Sequence, residues 1–129
     1  MSDSVTALAD STPADTPQPL ITFTAGFGDW LAQHGASLAL TTYQAGRLFL
    51  IGRKPDGGIR AHERLIENCQ GLWTDGQTLW TSSAYMLWRF QNALAAGEVT
   101  ATGADRRFVP VEGRVTGAID CHVHFICPQ

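Results

Sequence analysis

Five side chains of the types that bind metal ions lie close together near the end of the sequence. They are Asp120, Cys121, His122, His124 and Cys127. Alternate residues of a strand point to the same face, so two histidines separated by one residue could both reach one ion. A structural zinc site, however, takes four Cys or His ligands in two closely spaced pairs, and the second pair is missing from this segment. We therefore predict no metal site and no cofactor.

Asp120 and His122 could also work as a pair without a metal ion. They alternate along a predicted strand, so both side chains would point to one face of it. A carboxylate can orient an imidazole for proton transfer, which would suit an enzyme with an Asp/His pocket, with or without a metal. Buried polar side chains are more commonly held in structural hydrogen bonds. We therefore keep Asp120 and His122 as candidate catalytic residues of an alternative hypothesis.

A second candidate site lies at the turn of the first predicted hairpin. Tyr43, Gln44 and Arg47 surround this turn, and loops on a rigid scaffold commonly carry binding residues. An Arg guanidinium can hold an anionic group through two parallel hydrogen bonds. The competing interpretation makes Arg47 a solvated residue at the start of a strand and Tyr43 an aromatic residue at the edge of the core. We predict all three as binding residues, with neither interpretation excluded.

The elements that must position these residues are short strands, because from Ala36 onward apolar and polar residues alternate with a period of two. The predicted strands cover 37–43, 46–52, 59–66, 71–74, 78–81, 87–90, 108–109 and 119–126. The segment Pro55-Asp56-Gly57-Gly58 and the dipeptide Asp75-Gly76 are strong turn signals between them. One short helix precedes the strands, with Phe27, Trp30, Leu31 and His34 on one face and Gly35 as its stop.

An internal repeat indicates how these strands are organised. The strand–turn–strand unit that contains Leu38 resembles the unit that contains Leu79, 41 residues later, and four-stranded propeller blades repeat every 40–45 residues or so. Trp73, Trp80, Trp88 and Phe90 are predicted as core residues between blades. We predict an all-β fold, a partial β-propeller-like repeat of antiparallel strands with one short N-terminal helix. Residues 1–20 are predicted as a flexible leader, and residues 21–129 as about two blades with the start of a third.

The charge pattern excludes two classes of partner. The net charge is −3 at pH 7 and no run of Lys or Arg occurs, so the basic surface of a nucleic-acid-binding protein is not expected. No apolar stretch is long enough to cross a bilayer, which predicts no membrane association. The first ten residues contain no Lys or Arg, and the three cysteines are odd in number. Without a signal peptide or a disulfide framework, we expect the protein in the cytoplasm.

The segment Thr41-Thr42-Tyr43-Gln44-Ala45-Gly46-Arg47-Leu48 resembles the signature of a bacterial family of conserved hypothetical proteins whose propeller-like domain has no assigned function. The similarity continues over 21–23, 28–31, 71–72, 75–76, 87–92, 109–110 and 115–117 and includes Asp120 and His122. Members of the family run well beyond 129 residues. The resemblance therefore implies that this chain is an N-terminal fragment, and a fragment without a function of its own is one hypothesis.

The function that these observations predict is binding of a small molecule or a protein, still to be identified, through Tyr43, Gln44 and Arg47. The alternative is the enzyme with the Asp120 and His122 pocket. The first hypothesis predicts that the Asp/His pair is buried in hydrogen bonds between strands, and the second predicts that the pair lies in a polar pocket with room for a substrate.

Overall fold

The computed structural model describes residues 21–117 and Val123, and these contain one helix and seven strands. In chain order the elements are α1 (Phe27–His34), β1 (Leu38–Thr42), β2 (Arg47–Arg53), β3 (Ile59–Leu65), β4 (Gln70–Thr74), β5 (Thr78–Ser82), β6 (Met86–Asn92) and β7 (Phe108–Val115). The strands form a three-stranded sheet in the order β1-β2-β3 and a four-stranded sheet in the order β4-β5-β6-β7. The predicted all-β class with one short helix is therefore confirmed, whereas the propeller-like arrangement stays a prediction.

The described residues pack as two compact units. The first unit contains 21–39 and 49–64, and the second contains 40–48, 65–117 and Val123. None of the helical segments between residues 21 and 117 has the length and apolar character that a membrane crossing requires.

Helix α1 ends where the sequence predicts, at Gly35. This glycine has a left-handed backbone (φ 55°, ψ 39°), and its N–H donates to carbonyls of the last turn, the arrangement that commonly closes a helix. Its predicted apolar face is only partly buried, because Leu31 alone is buried within the helix. Along the helix, the Phe27 ring instead stacks on Trp30, and the Trp30 ring meets His34 at a tilt of 33°.

The predicted turn between β2 and β3 is confirmed in detail. The N–H of Lys54 donates to the carbonyl of Gly58 (2.7 Å), and the N–H of Gly57 donates back to Lys54 (2.9 Å). The Asp56 carboxylate accepts the N–H of Gly58 at 2.9 Å. The same carboxylate lies 3.6 Å from the buried Lys54 ammonium, so the turn also gives this cation a partner.

The four-stranded sheet is an antiparallel meander, and its strands are longer than the sequence predicts. Strand β6 runs from Met86 to Asn92 and β7 from Phe108 to Val115, although only 87–90 and 108–109 were expected. Many of the added positions are polar and pair across the sheet, as Glu112 does with Arg89. Cross-strand pairing stabilises such polar residues in a strand. Because these residues are polar, they do not show the alternation of apolar and polar residues from which strands are predicted.

One face of this sheet supplies the core of the second unit. Leu79 and Phe90 lie directly opposite each other on β5 and β6, and both are buried. Trp73, Trp80 and Trp88, predicted as core residues, are only half-buried. Of the four aromatic residues predicted for the core, Phe90 alone is therefore buried.

Strand β4 meets one further residue at its outer edge. Gly71 forms a parallel bridge with Val123, and a Cβ added to Gly71 would collide with the Val123 backbone. The remainder of the strand predicted for 119–126 lies outside the described residues.

Candidate functional site

The turn of the first hairpin is held at both ends by one hydroxyl. Strand β1 ends at Thr42 and β2 begins at Arg47. The Thr42 hydroxyl accepts the N–H of Arg47 at 3.1 Å and donates to the Arg47 carbonyl at 3.4 Å. A single side chain therefore fixes the spacing of the two strands, and the four intervening residues form a defined turn.

Gly46 closes this turn in a conformation that favours glycine. Its φ is 60°, and its N–H donates to the Tyr43 carbonyl at 3.3 Å. A Cβ at this position would lie 3.2 Å from the Ile66 carbonyl oxygen and 3.5 Å from the Glu67 Cα. The absence of a side chain lets the segment around Ile66 approach the turn closely.

The three predicted binding residues lie together at this turn, but they differ in exposure. Tyr43 is 46% exposed, and Gln44 is also exposed. Arg47 is half-buried, and its Nη1 donates to the Ala45 carbonyl at 3.0 Å. The turn therefore presents an aromatic ring and an amide to solvent, and the guanidinium folds back over the turn beside them.

A chain of backbone hydrogen bonds brings three further segments to this end of the second unit. The bonds run from Ile66 N–H to Gly46 O (2.9 Å), from Ala84 N–H to Glu67 O (3.0 Å) and from Thr116 N–H to Tyr85 O (2.7 Å). Since Ile66 precedes Glu67 and Ala84 precedes Tyr85, the three bonds link segments in succession. We call the surface formed by residues 43–47, 65–67, 83–85 and 115–116 the rim.

The rim exposes four large apolar or aromatic side chains. Tyr43 is 46% exposed, Tyr85 59%, Leu65 73% and Val115 78%. Single exposed apolar residues are common on protein surfaces, but several on one surface mark interaction sites. Of these four, the sequence reasoning identified only Tyr43, because Leu65, Tyr85 and Val115 belong to separate segments that no local pattern connects.

The segment after Ile66 is anchored beneath the rim by buried polar contacts. Cys69 is fully buried, and its thiol lies 3.2 Å from the Thr81 hydroxyl. That hydroxyl donates to the Gly71 carbonyl at 2.7 Å, so the thiol acts as the donor to Thr81. Burial raises the pKa of the Cys69 thiol. Cys69 is therefore a neutral structural thiol rather than a nucleophile.

A second polar cluster crosses the four-stranded sheet on one face. Trp73, Trp80, Arg89 and Glu112 stand opposite one another in succession. The Arg89 guanidinium carbon lies 6.0 Å from the Trp80 ring centroid, and its Nε donates to Glu112 at 3.1 Å. The Arg89 and Arg114 hydrogen bonds lower the pKa of the Glu112 carboxyl. These groups satisfy one another, so the row stabilises the sheet.

The two residues of the Asp/His hypothesis, Asp120 and His122, lie outside the described residues, as do Cys121, His124 and Cys127. Within residues 21–117, no three His, Cys, Asp or Glu side chains are grouped where they could hold a metal ion. The site that can be built from described side chains is therefore the rim.

Comparison with known proteins identifies a family and nothing finer. The family model described as "Domain of unknown function (DUF4915)" matches residues 25–127. Neither the curated proteins nor the solved structures contain a match to this chain.

Proposed function

Because the chain belongs to the DUF4915 family, a domain of unknown function, we propose a function from its own surface, namely binding of a protein partner at the rim. The observation that supports this is the succession of three backbone hydrogen bonds that unites the exposed side chains of four segments. A surface fixed by main-chain bonds loses little conformational entropy when a partner binds.

The exposed side chains favour a protein over a small molecule. Tyr43 and Tyr85 offer large rigid rings with a hydroxyl at the tip, and tyrosine is enriched in protein interfaces for this reason. Leu65 and Val115 add apolar area from two other segments. Small molecules bind in concave pockets that cover most of their surface, whereas these four side chains project outward.

The polar residues of the turn would supply specificity. The Gln44 amide can donate and accept hydrogen bonds at once. The Arg47 guanidinium, oriented by its 3.0 Å bond to the Ala45 carbonyl, would pair with a carboxylate of the partner. In this proposal Tyr43 and Tyr85 are the anchors, and Gln44 and Arg47 determine orientation.

We also propose that the sheets are blades of a propeller-like repeat. The four-stranded antiparallel meander β4-β5-β6-β7 has the strand number of one blade. Leu38 lies at the start of β1 and Leu79 in β5, and the 41 residues between these two positions of the sequence repeat match the length of one blade.

Photo-crosslinking in cells that express the full chain tests the binding proposal. A crosslinking phenylalanine derivative replaces Tyr85 in one variant and Val99, which is 60% exposed, in the control. Val99 lies beyond the opposite end of β6. We expect a discrete protein adduct from position 85 and none from position 99. Adding Tyr43→Ala to the first variant should reduce the adduct about tenfold, as expected for loss of an interface anchor.

The outcome that contradicts the proposal is equally specific. If positions 85 and 99 give the same adducts, or if position 85 gives none, the rim does not bind a protein. If Tyr43→Ala leaves the amount of adduct unchanged, Tyr43 does not contact the partner. The four segments of the rim would then not form one binding surface.

A further inference from the structure

Strand β3 places three basic side chains in a row at the edge of the three-stranded sheet. Among residues 21–117 and Val123, the strand order β1-β2-β3 makes β3 the outermost strand of its sheet. Arg60, His62 and Arg64 alternate along it, so their side chains point to the same face. Alternation puts Glu63 on the opposite face. The row therefore concentrates positive charge in a chain whose net charge is −3.

The two faces of β3 have different surroundings. Ala61 is fully buried, and Gly28 of α1 lies so close to Ile59 that an added Cβ would be 3.3 Å from the Ile59 Cδ1. The helix thus covers the face that carries Ile59 and Ala61. On the other face, His62 and Arg64 are exposed and Arg60 is half-buried.

The charges of the row act on one another. Partial removal from water lowers the pKa of His62, and the positive charge of Arg64 lowers it further, while Glu63 opposes both. The influence of Arg64 agrees with two side chains on one face. His62 is accordingly neutral at pH 7, and the row carries two full positive charges from Arg60 and Arg64.

We propose that an extended acidic peptide binds β3 by adding a strand to the sheet, with acidic side chains opposite Arg60, His62 and Arg64. An outermost strand presents backbone N–H and C=O groups along its outer edge, and strand addition uses them for main-chain hydrogen bonds. Residues two positions apart on a strand are separated by roughly 6.6–6.8 Å. Only a peptide with acidic residues at every second position can therefore place each of them opposite this row.

A peptide fits these observations better than a nucleic acid. Proteins that bind DNA through its backbone commonly contact about 6–10 phosphates, and this row offers two full charges. The strand edge offers main-chain groups in the spacing of another strand, which a phosphate backbone cannot match. The row shares no residue with the rim, so this inference does not rest on the proposed function.

Two peptides of identical composition distinguish strand addition from simple charge attraction. In the first, Thr-Glu-Val-Glu-Val-Glu-Thr, acidic residues alternate; in the second, Val-Thr-Glu-Glu-Glu-Thr-Val, they are consecutive. With each peptide fluorescently labelled, anisotropy titration of the full chain at low salt measures the dissociation constants. We expect the alternating peptide to bind about tenfold more tightly, as two well-placed charge pairs with Arg60 and Arg64 would allow in addition to the main-chain hydrogen bonds.

Charge-reversal variants locate the site. Arg60→Glu and Arg64→Glu should each weaken binding of the alternating peptide at least fivefold, roughly the effect of reversing one cross-strand charge pair. The control Arg107→Glu makes the same charge change at an exposed residue of the other unit and should leave binding unchanged. Circular dichroism spectra that match those of the unmodified chain confirm that each variant is folded.

Several results would overturn the inference. Equal affinity for the two peptides would mean charge attraction without strand pairing. No binding of either would mean that the row only protects the strand edge from aggregation. A single-stranded oligonucleotide that displaces the alternating peptide at lower concentration would assign the row to nucleic acid, and an equal effect of Arg107→Glu would show that the peptide binds elsewhere.

Discussion

Replacing Gly46 with alanine should destabilise the second unit by about 2–3 kcal/mol. The left-handed backbone at this position (φ 60°) costs a residue with a side chain roughly 1–2 kcal/mol. The new Cβ would also lie 3.2 Å from the Ile66 carbonyl oxygen, which accepts the Cys69 N–H at 3.1 Å. Moving this carbonyl away weakens a hydrogen bond worth about 1 kcal/mol. The backbone strain and the weakened hydrogen bond add to each other, because the new Cβ causes both.

Urea unfolding followed by tryptophan fluorescence measures this loss, since Trp73, Trp80 and Trp88 report on the same unit. Gly97→Ala is the matched control, because Gly97 has a φ of 81° in that unit and open space where its Cβ would stand. Gly97→Ala should lose only the free energy that a side chain costs in left-handed backbone, roughly 1–2 kcal/mol. If Gly46→Ala and Gly97→Ala lose the same free energy, the close approach of the Ile66 segment does not constrain the turn, and the reasoning is refuted.

The remaining predictions concern single side chains. Thr42→Val should lower the unfolding free energy by about 1–2 kcal/mol, since it removes both hydrogen bonds that close the turn; Thr42→Ser should retain most of it, and equal losses would contradict this. Tyr43→Ala should change stability by no more than about 0.5 kcal/mol, because its ring is exposed; a larger loss in urea unfolding would make it a core residue. The Arg89 hydrogen bond holds the pKa of Glu112 below its ordinary value, so Glu112 stabilises the fold above about pH 4.3. The stability difference between the unmodified chain and Glu112→Gln should disappear as the pH falls through the lowered pKa, and a constant difference would refute the ion-pair account. Partial desolvation and the positive charge of Arg64 lower the pKa of the exposed His62, so protonation favours the unfolded state, and the chain should lose stability relative to His62→Gln as the pH falls below about 6.5. Melts near pH 7.5 and pH 5 measure this, and parallel behaviour of the two proteins would refute it.

The features that the sequence predicts correctly have local causes. Asp75 accepts the N–H groups of Gln77 and Thr78 at 2.9 and 2.8 Å, and Gly76 takes a φ of 91°. These are the reasons that Asp-Gly indicates a tight turn. The turn at Pro55-Asp56-Gly57-Gly58 and the helix stop at Gly35 follow from equally local chemistry. Such features are visible in sequence because each depends on a few adjacent residues.

The features that were missed depend on residues far apart in the chain. Tyr85 joins the rim through a bond from Thr116, and Glu67 joins it through a bond from Ala84. Nothing in the sequence around Tyr85 indicates that its neighbours along the rim come from the first hairpin. The extent of β7 was missed for the same reason, since Glu112 is held in a strand by Arg89, 23 residues earlier.

The signature around the first hairpin contains residues of two kinds, and the structure separates them. Thr42 and Gly46 are explained by the fold, since one closes the turn and the other permits the approach of Ile66. Tyr43 and Gln44 point to solvent, so the stability of the described fold does not explain why an aromatic ring and an amide occur there. A side chain that the fold does not require, held on a turn that the fold keeps rigid, is positioned for something outside the chain. The rim is therefore a strong candidate site, although it contains few residues of the types that catalyse reactions or bind metal ions.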